Sequence, residues 1–174
     1  GISCYGSSAE RLRQRGTPAH NTVVINGENS SEVWSGFRVA RRAKPFDLNI
    51  NKSEDRLQVS CSHDGYKRLK GSPVHTRKWE ISSNQLIVND VITGNFQQAE
   101  ARYHFHPNVT IELNEVYKKG VVYIRNNNKV YFEVQSRSMC IIDSTHHPEF
   151  GLSEDNKCLV LNFDSNQSKL RFFW

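Results

Sequence analysis

Short runs of alternating apolar and polar residues recur along this chain, each closed by a turn signal. Leu57-Gln58-Val59-Ser60-Cys61-Ser62 and the run from Ala99 to His106 are clear cases. A period of two sends successive side chains to opposite faces, and such a segment buries its apolar half only as a strand in a sheet. No helical period persists for three turns. The pattern predicts an all-β chain, an antiparallel β-sandwich of two layers, with strands over 23–25, 57–62, 74–81, 86–92, 99–106, 109–113, 121–125, 130–134, 139–143, 158–163 and 170–173.

At 174 residues the chain is the size of one domain, 1–174. Its 37% hydrophobic content suffices for a core, and no run is long and apolar enough to be a membrane helix. A net charge of +5 makes anions the natural partners. Cys4, Cys61, Cys140 and Cys158 form no CxxC pair, so neither a disulfide framework nor a cysteine zinc site is indicated. Cys61, Cys140 and Cys158 fall in apolar strand patterns and are expected as buried thiols. Gly1-Ile2-Ser3-Cys4 reads as internal sequence, which predicts a piece of a longer protein. Walker-type loops, GxGxxG, GxSxG and HExxH are missing. So are the recognition-helix, zinc-finger and RNP signatures of nucleic-acid binding.

The chemistry centres on Arg15-Gly16-Thr17-Pro18-Ala19-His20-Asn21-Thr22-Val23-Val24-Ile25-Asn26-Gly27. Pro18 disfavours helix at Thr17, and Asn26-Gly27 is a strong hairpin signal, so His20 is held at a strand entrance. A histidine held there serves in proton transfer or as a ligand, or is a satisfied structural group. The hairpin partner is expected over 33–44, with Phe37 and Val39 inward and Arg38, Arg42 and Lys44 outward. Residues 1–19 are polar; if extended, they place Arg11, Arg13 and Arg15 on one face. Residues 47–56 read as a polar connection, and His146-His147 as part of an exposed loop. His104 and His106 share a strand face, where they could converge on a metal or an anion, or simply face water. Histidines beside arginines have the residue types that β-elimination of a uronate requires: a carboxylate neutraliser, a base and an acid.

Several runs together resemble the C-terminal β-sandwich region of the heparinase II/III-like polysaccharide lyases. They are the Gln14–Gly27 stretch, Glu32-Val33-Trp34-Ser35-Gly36-Phe37-Arg38-Val39, His63-Asp64-Gly65-Tyr66, Val88-Asn89-Asp90 with Gly94, Tyr103-His104-Phe105-His106-Pro107, and Glu149-Phe150-Gly151. They occur in family order over nearly the whole chain. The resemblance implies a fragment of a larger protein in which an N-terminal α/α-toroid supplies a catalytic Tyr and the sandwich supplies His20. It implies an acidic, uronate-containing polysaccharide as substrate, with Arg13, Arg15, Asn21, Arg38, Arg42 and Tyr66 as candidate contacts. It implies a periplasmic or secreted bacterial protein. Some members hold a structural zinc, or another divalent metal, and His63 is the position that maps to such a site; Thr22 stands where zinc-binding members carry a second His. The alternative is a non-catalytic carbohydrate-binding or scaffolding sandwich. A nucleic-acid-binding β domain rests on charge alone.

Overall fold

The computed structural model describes the backbone of residues 1–174 and all side chains except that of Asn127. In chain order the strands are β1 (Val23–Ile25), β2 (Pro45–Lys52), β3 (Leu57–His63), β4 (Val74–Ser82), β5 (Gln85–Thr93) and β6 (Ala99–His104). They continue with β7 (Thr110–Asn114), β8 (Lys119–Tyr123), β9 (Lys129–Gln135), β10 (Ser138–His146), β11 (Glu154–Asn162) and β12 (Gln167–Phe173). Before them comes one helix, α1 (Ala9–Arg15), and a single 3-10 turn at Thr17–Ala19.

All pairings between these strands are antiparallel. A four-stranded sheet runs β1-β6-β11-β10, and an eight-stranded sheet runs β2-β3-β4-β5-β12-β9-β8-β7. Their inner faces share one core. Val23, Ile25, Tyr103, Leu159 and Leu161 come from the smaller sheet, and Val88, Ile92, Phe132, Val134 and Leu170 from the larger. Alternation decides which side chains enter it: in β5, Val88, Asp90 and Ile92 are buried, while Asn89 and Val91 face outward. Burying a side chain such as Leu159 or Leu170 completely contributes about 1.5–3 kcal/mol. No helix among the described residues is long and apolar enough to cross a membrane.

Five local expectations need correction. Residues 9–15 are helical, not extended: Ser8 caps the helix by accepting the Arg11 N–H at 3.1 Å, and Glu10 pairs with Arg13 one turn on. A seven-residue helix is marginal alone. Here it is anchored by Arg11 and Gln14, both buried; Gln14 Oε1 accepts the Ser3 N–H at 2.8 Å.

The Asn26-Gly27 turn forms with φ of 55° and 72°, the paired positive values of a type I′ turn, and the Glu28 N–H donates to the Ile25 carbonyl at 3.0 Å. The hairpin beyond it does not form. β1 pairs with β6, and residues 33–44 fold back on themselves at Ser35-Gly36, whose φ values are 48° and 30°. One isolated bridge, Val33 to Val39, is what remains of the expected strand, and Phe37 is 70% exposed where it was expected inward.

Residues 47–56, expected as a connection, contain most of the edge strand β2 (Pro45–Lys52). Its side chains are mostly exposed, and it carries a bulge between Phe46 and Asn49. An exposed, bulged strand is one way a sheet protects its edge; Phe46, Leu48 and Ile50 alternate with polar residues here, but Leu48 and Ile50 face solvent instead of the core. Finally, His147 is buried and Cys61 and Cys140 are only half-buried, so Cys158 alone of the three is a fully buried thiol.

Candidate functional site

The His20 turn is held from three sides. The His20 N–H donates to the Thr17 carbonyl at 3.1 Å, ending the 3-10 turn that Pro18 begins, and the residue itself is extended. From β6, the His104 N–H donates to Asn21 Oδ1 at 2.7 Å, and the His104 ring lies 3.0 Å from the Pro18 carbonyl. From the core, Arg77 Nη1 donates to the Asn21 carbonyl at 2.6 Å.

Arg77 is itself fixed by a buried network. Asp90 is fully buried and accepts from Arg77 Nε at 2.7 Å, Arg77 Nη2 at 2.9 Å and the Tyr103 hydroxyl at 2.9 Å, with His75 Nε2 at 2.7 Å. Burial by itself would raise this carboxyl, but the hydrogen bonds from His75 and Arg77 and the Arg77 charge hold it well below the usual carboxylate range. Register explains the cluster. Arg77 stands opposite Asp90 and His75 opposite Ile92 on the inward face, so β4 and β5 deliver the ion pair to one spot.

His20 opens onto a shallow groove of about 590 Å³, whose walls include Arg15, Ser31, Phe37, Val39 and Arg42. Partial burial lowers the His20 pKa from its ordinary 6.5, which favours the neutral ring. Arg15 reaches the Gly36 carbonyl, and Arg11 Nε donates to the same carbonyl at 3.0 Å, so these arginines shape the loop that forms the groove wall. Beside it stands an exposed aromatic group: Tyr5 lies 4.6 Å from Phe150 and 6.0 Å from Phe37, ring centre to ring centre. The exposure of Phe37 beside the groove is not legible in the sequence, because the segment that exposes it reads as a strand with Phe37 inward.

Of the candidate contacts, the structure brings His20, Arg15 and Arg42 to this groove. Asn21 lies beside it, with its side-chain oxygen committed to His104. Arg38 stacks over Trp34 at 5.0 Å. Arg13 faces elsewhere, bound to Glu10 and, at 2.6 Å, to Thr145 Oγ1. Tyr66 is fully buried, its hydroxyl donating to the Val23 carbonyl at 2.7 Å; it supports β1 from within and touches no groove. Burial pushes that hydroxyl's pKa far up.

His104 and His106 do not converge. His104 turns to Pro18 and to Ser144 Oγ, 3.2 Å away, whereas His106 lies beyond the end of β6 with its ring 5.6 Å from that of His146. The residues around His63 do not fit a metal. Its Nε2 lies 3.1 Å from His75 Nδ1, the other His75 nitrogen faces Asp90, and both Asp90 oxygens are taken by Arg77, His75 and Tyr103. Among the described residues no three His, Cys, Asp or Glu side chains are grouped to hold an ion.

The backbone is similar to that of solved lyases. The heparan sulfate lyase HepC of Pedobacter heparinus, as a mutant, superposes with a TM-score of 0.78 at 11% identity, over 99% of this chain and 27% of that one. The heparinase III product BT4657 gives 0.75 at 13% identity, again over 99% and 27%. The chain therefore spans about a quarter of the length of these neighbours, and at such identity the likeness concerns the fold. No curated protein matches by sequence. A family model described as "Heparinase II/III-like, C-terminal" matches residues 1–174, the whole chain. The chain belongs to the heparinase II/III-like C-terminal domain family.

Proposed function

We propose that this chain is the sandwich part of a polysaccharide lyase that cleaves an acidic, uronate-containing glycan by β-elimination, with the His20 groove forming one wall of its cleft. The observation that carries the reading is the His20 imidazole and the Arg42 guanidinium on one groove, in a chain of this family. Elimination needs the substrate carboxylate neutralised, the adjacent carbon deprotonated and the leaving oxygen protonated. Arg42 supplies permanent positive charge. A neutral His20 supplies a ring nitrogen that accepts a proton, or an N–H that donates to the carboxylate. The remaining groups, including the Tyr expected from an N-terminal toroid, belong to the longer protein that this reading requires.

The test follows ultraviolet absorbance of unsaturated uronate products in that longer protein, over a panel of acidic polysaccharides. Substituting His20→Ala is expected to cut turnover about 10²–10⁴-fold, the usual worth of a positioned acid or base. Unchanged turnover would remove His20 from the chemistry. Binding without product on any substrate would favour the carbohydrate-binding module.

A further inference from the structure

The eight-stranded sheet has an outer face that the lyase reading leaves unused. Its register sets six residues directly opposite one another across successive strands: Asn49, Ser60, Lys78, Asn89, Lys169 and Gln135. The inward row beside them, with Trp79, Val88, Leu170 and Val134, packs toward the core, so alternation turns the six outward. They line two grooves of about 360 and 490 Å³ that meet at Asn89 and Lys169.

The row is unusual in composition. It contains three amides, one hydroxyl and two lysines, with no acid and no aromatic. Among the described residues neither Lys78 nor Lys169 has a carboxylate partner within ion-pair distance. The acids in the next row are neutralised: Glu80 is bound by Arg56 and Gln58, and Glu133 by Arg171 at 3.0 Å. Asp164, at the rim of the second groove, is the exposed exception, and Lys118 there donates to the Ser136 carbonyl at 2.5 Å. Lys78 and Lys169 flank Asn89 on neighbouring strands, so their backbones stand about 10 Å apart. That spacing is comparable to the repeat of one disaccharide unit in an extended acidic glycan. Amides between them can donate to and accept from sugar hydroxyls.

We propose that the Asn49–Gln135 row is a second glycan-binding site, a track that holds an acidic polysaccharide strand crossing the sheet at right angles to its strands. Lys78 and Lys169 take successive anionic groups, and Asn89 with its neighbouring amides takes the hydroxyls between them. The six side chains of the row include no aromatic, and Trp79, which also lines the first groove, is packed against the core, so no ring is presented as a platform for bases. This favours a glycan over a single-stranded nucleic acid. The proposal rests on the acidic-glycan part of the function above and not on the elimination chemistry.

The test is calorimetric titration of the 174-residue chain with heparan sulfate, polygalacturonate, neutral dextran and single-stranded DNA. Lys78→Gln/Lys169→Gln is compared with Lys67→Gln/Lys70→Gln, which removes the same charge from exposed positions outside the row; circular dichroism checks that both fold. At least one acidic glycan is expected to bind, and Lys78→Gln/Lys169→Gln to weaken it about tenfold or more while the control pair leaves it within about twofold. Raising the salt should weaken it too. Equal loss in both pairs, no loss in either, dextran binding as well as acidic glycan, DNA binding more tightly than every glycan, or no glycan bound would each overturn the track. Product formation on a short oligosaccharide by the longer protein should be unaltered by Lys78→Gln/Lys169→Gln. Failure of the track thus registers in binding, and failure of the lyase reading registers in product.

Discussion

The groove beside His20 and the outer row of the large sheet both carry cationic side chains on one sandwich, yet they are built by opposite means. His20 sits on irregular backbone, and its place is set from beneath by Arg77, Asp90, His75 and Tyr103, all in the core. The six outer residues sit on regular strands, and their places are set by register alone. A site pinned through a buried network is exact but couples binding geometry to fold stability. A site laid out by register is nearly independent of stability, since its side chains are solvated.

The sharpest way to break that contrast is Asp90→Ala. It strands the Arg77 guanidinium without a partner in the core, and removing one member of a buried pair costs about 3–5 kcal/mol. The denaturant midpoint should fall accordingly, and hydrogen exchange around Asn21 should quicken. A loss under about 1 kcal/mol would mean the network does not carry the turn.

Next comes pH. Burial, then the neighbouring His75 and Arg77, lowers the His63 pKa to about 4 against the pull of Asp64. The unfolded chain takes up a proton on this ring near 6.5, where the folded one does not. The unfolded state therefore binds more protons between these values, and stability is complete above about pH 6.5 and lost toward pH 4, by up to about 3 kcal/mol. In His63→Gln that part of the slope should vanish, as urea titrations at several pH values would show. An identical slope would assign the loss to other groups.

Removing the hydroxyl in Tyr66→Phe leaves the ring packed but strips the Val23 carbonyl of a donor, for about 1–2 kcal/mol in thermal unfolding. Smallest of all should be Lys78→Gln with Lys169→Gln, within about 0.5 kcal/mol of wild type. If the outer row proved as costly as the core network, the contrast between the two constructions would collapse.

How much of this could be read beforehand differs between the two regions for the same reason. Regular strands announce themselves, and β3, β4, β5 and β6 lie within two residues of the positions that alternation assigns. The groove did not announce itself. Residues 33–44 were expected as one strand, and Ser35-Gly36 within them is the point where the loop reverses and exposes Phe37. Tyr66 resembled a site residue because it follows His63-Asp64-Gly65, and no local pattern told that its ring would be sealed under β1. Arg77 and Asp90 each carried a usable signal, a charged residue on the inward face of a strand, but only together do they explain each other.

Alternation and turn residues were enough to predict an all-β sandwich, because these signals are local and a period of two has one structural answer, while the family resemblance rested on separate motif runs such as the one around His20-Asn21-Thr22. Which strand pairs with which was left to the folded molecule. β1 passes over its sequence neighbour to join β6, more than seventy residues away, and β5 takes β12 as one of its partners. Many strands can satisfy the same backbone hydrogen bonds, so only the shared core, and the buried charges that must find one another inside it, selects among them.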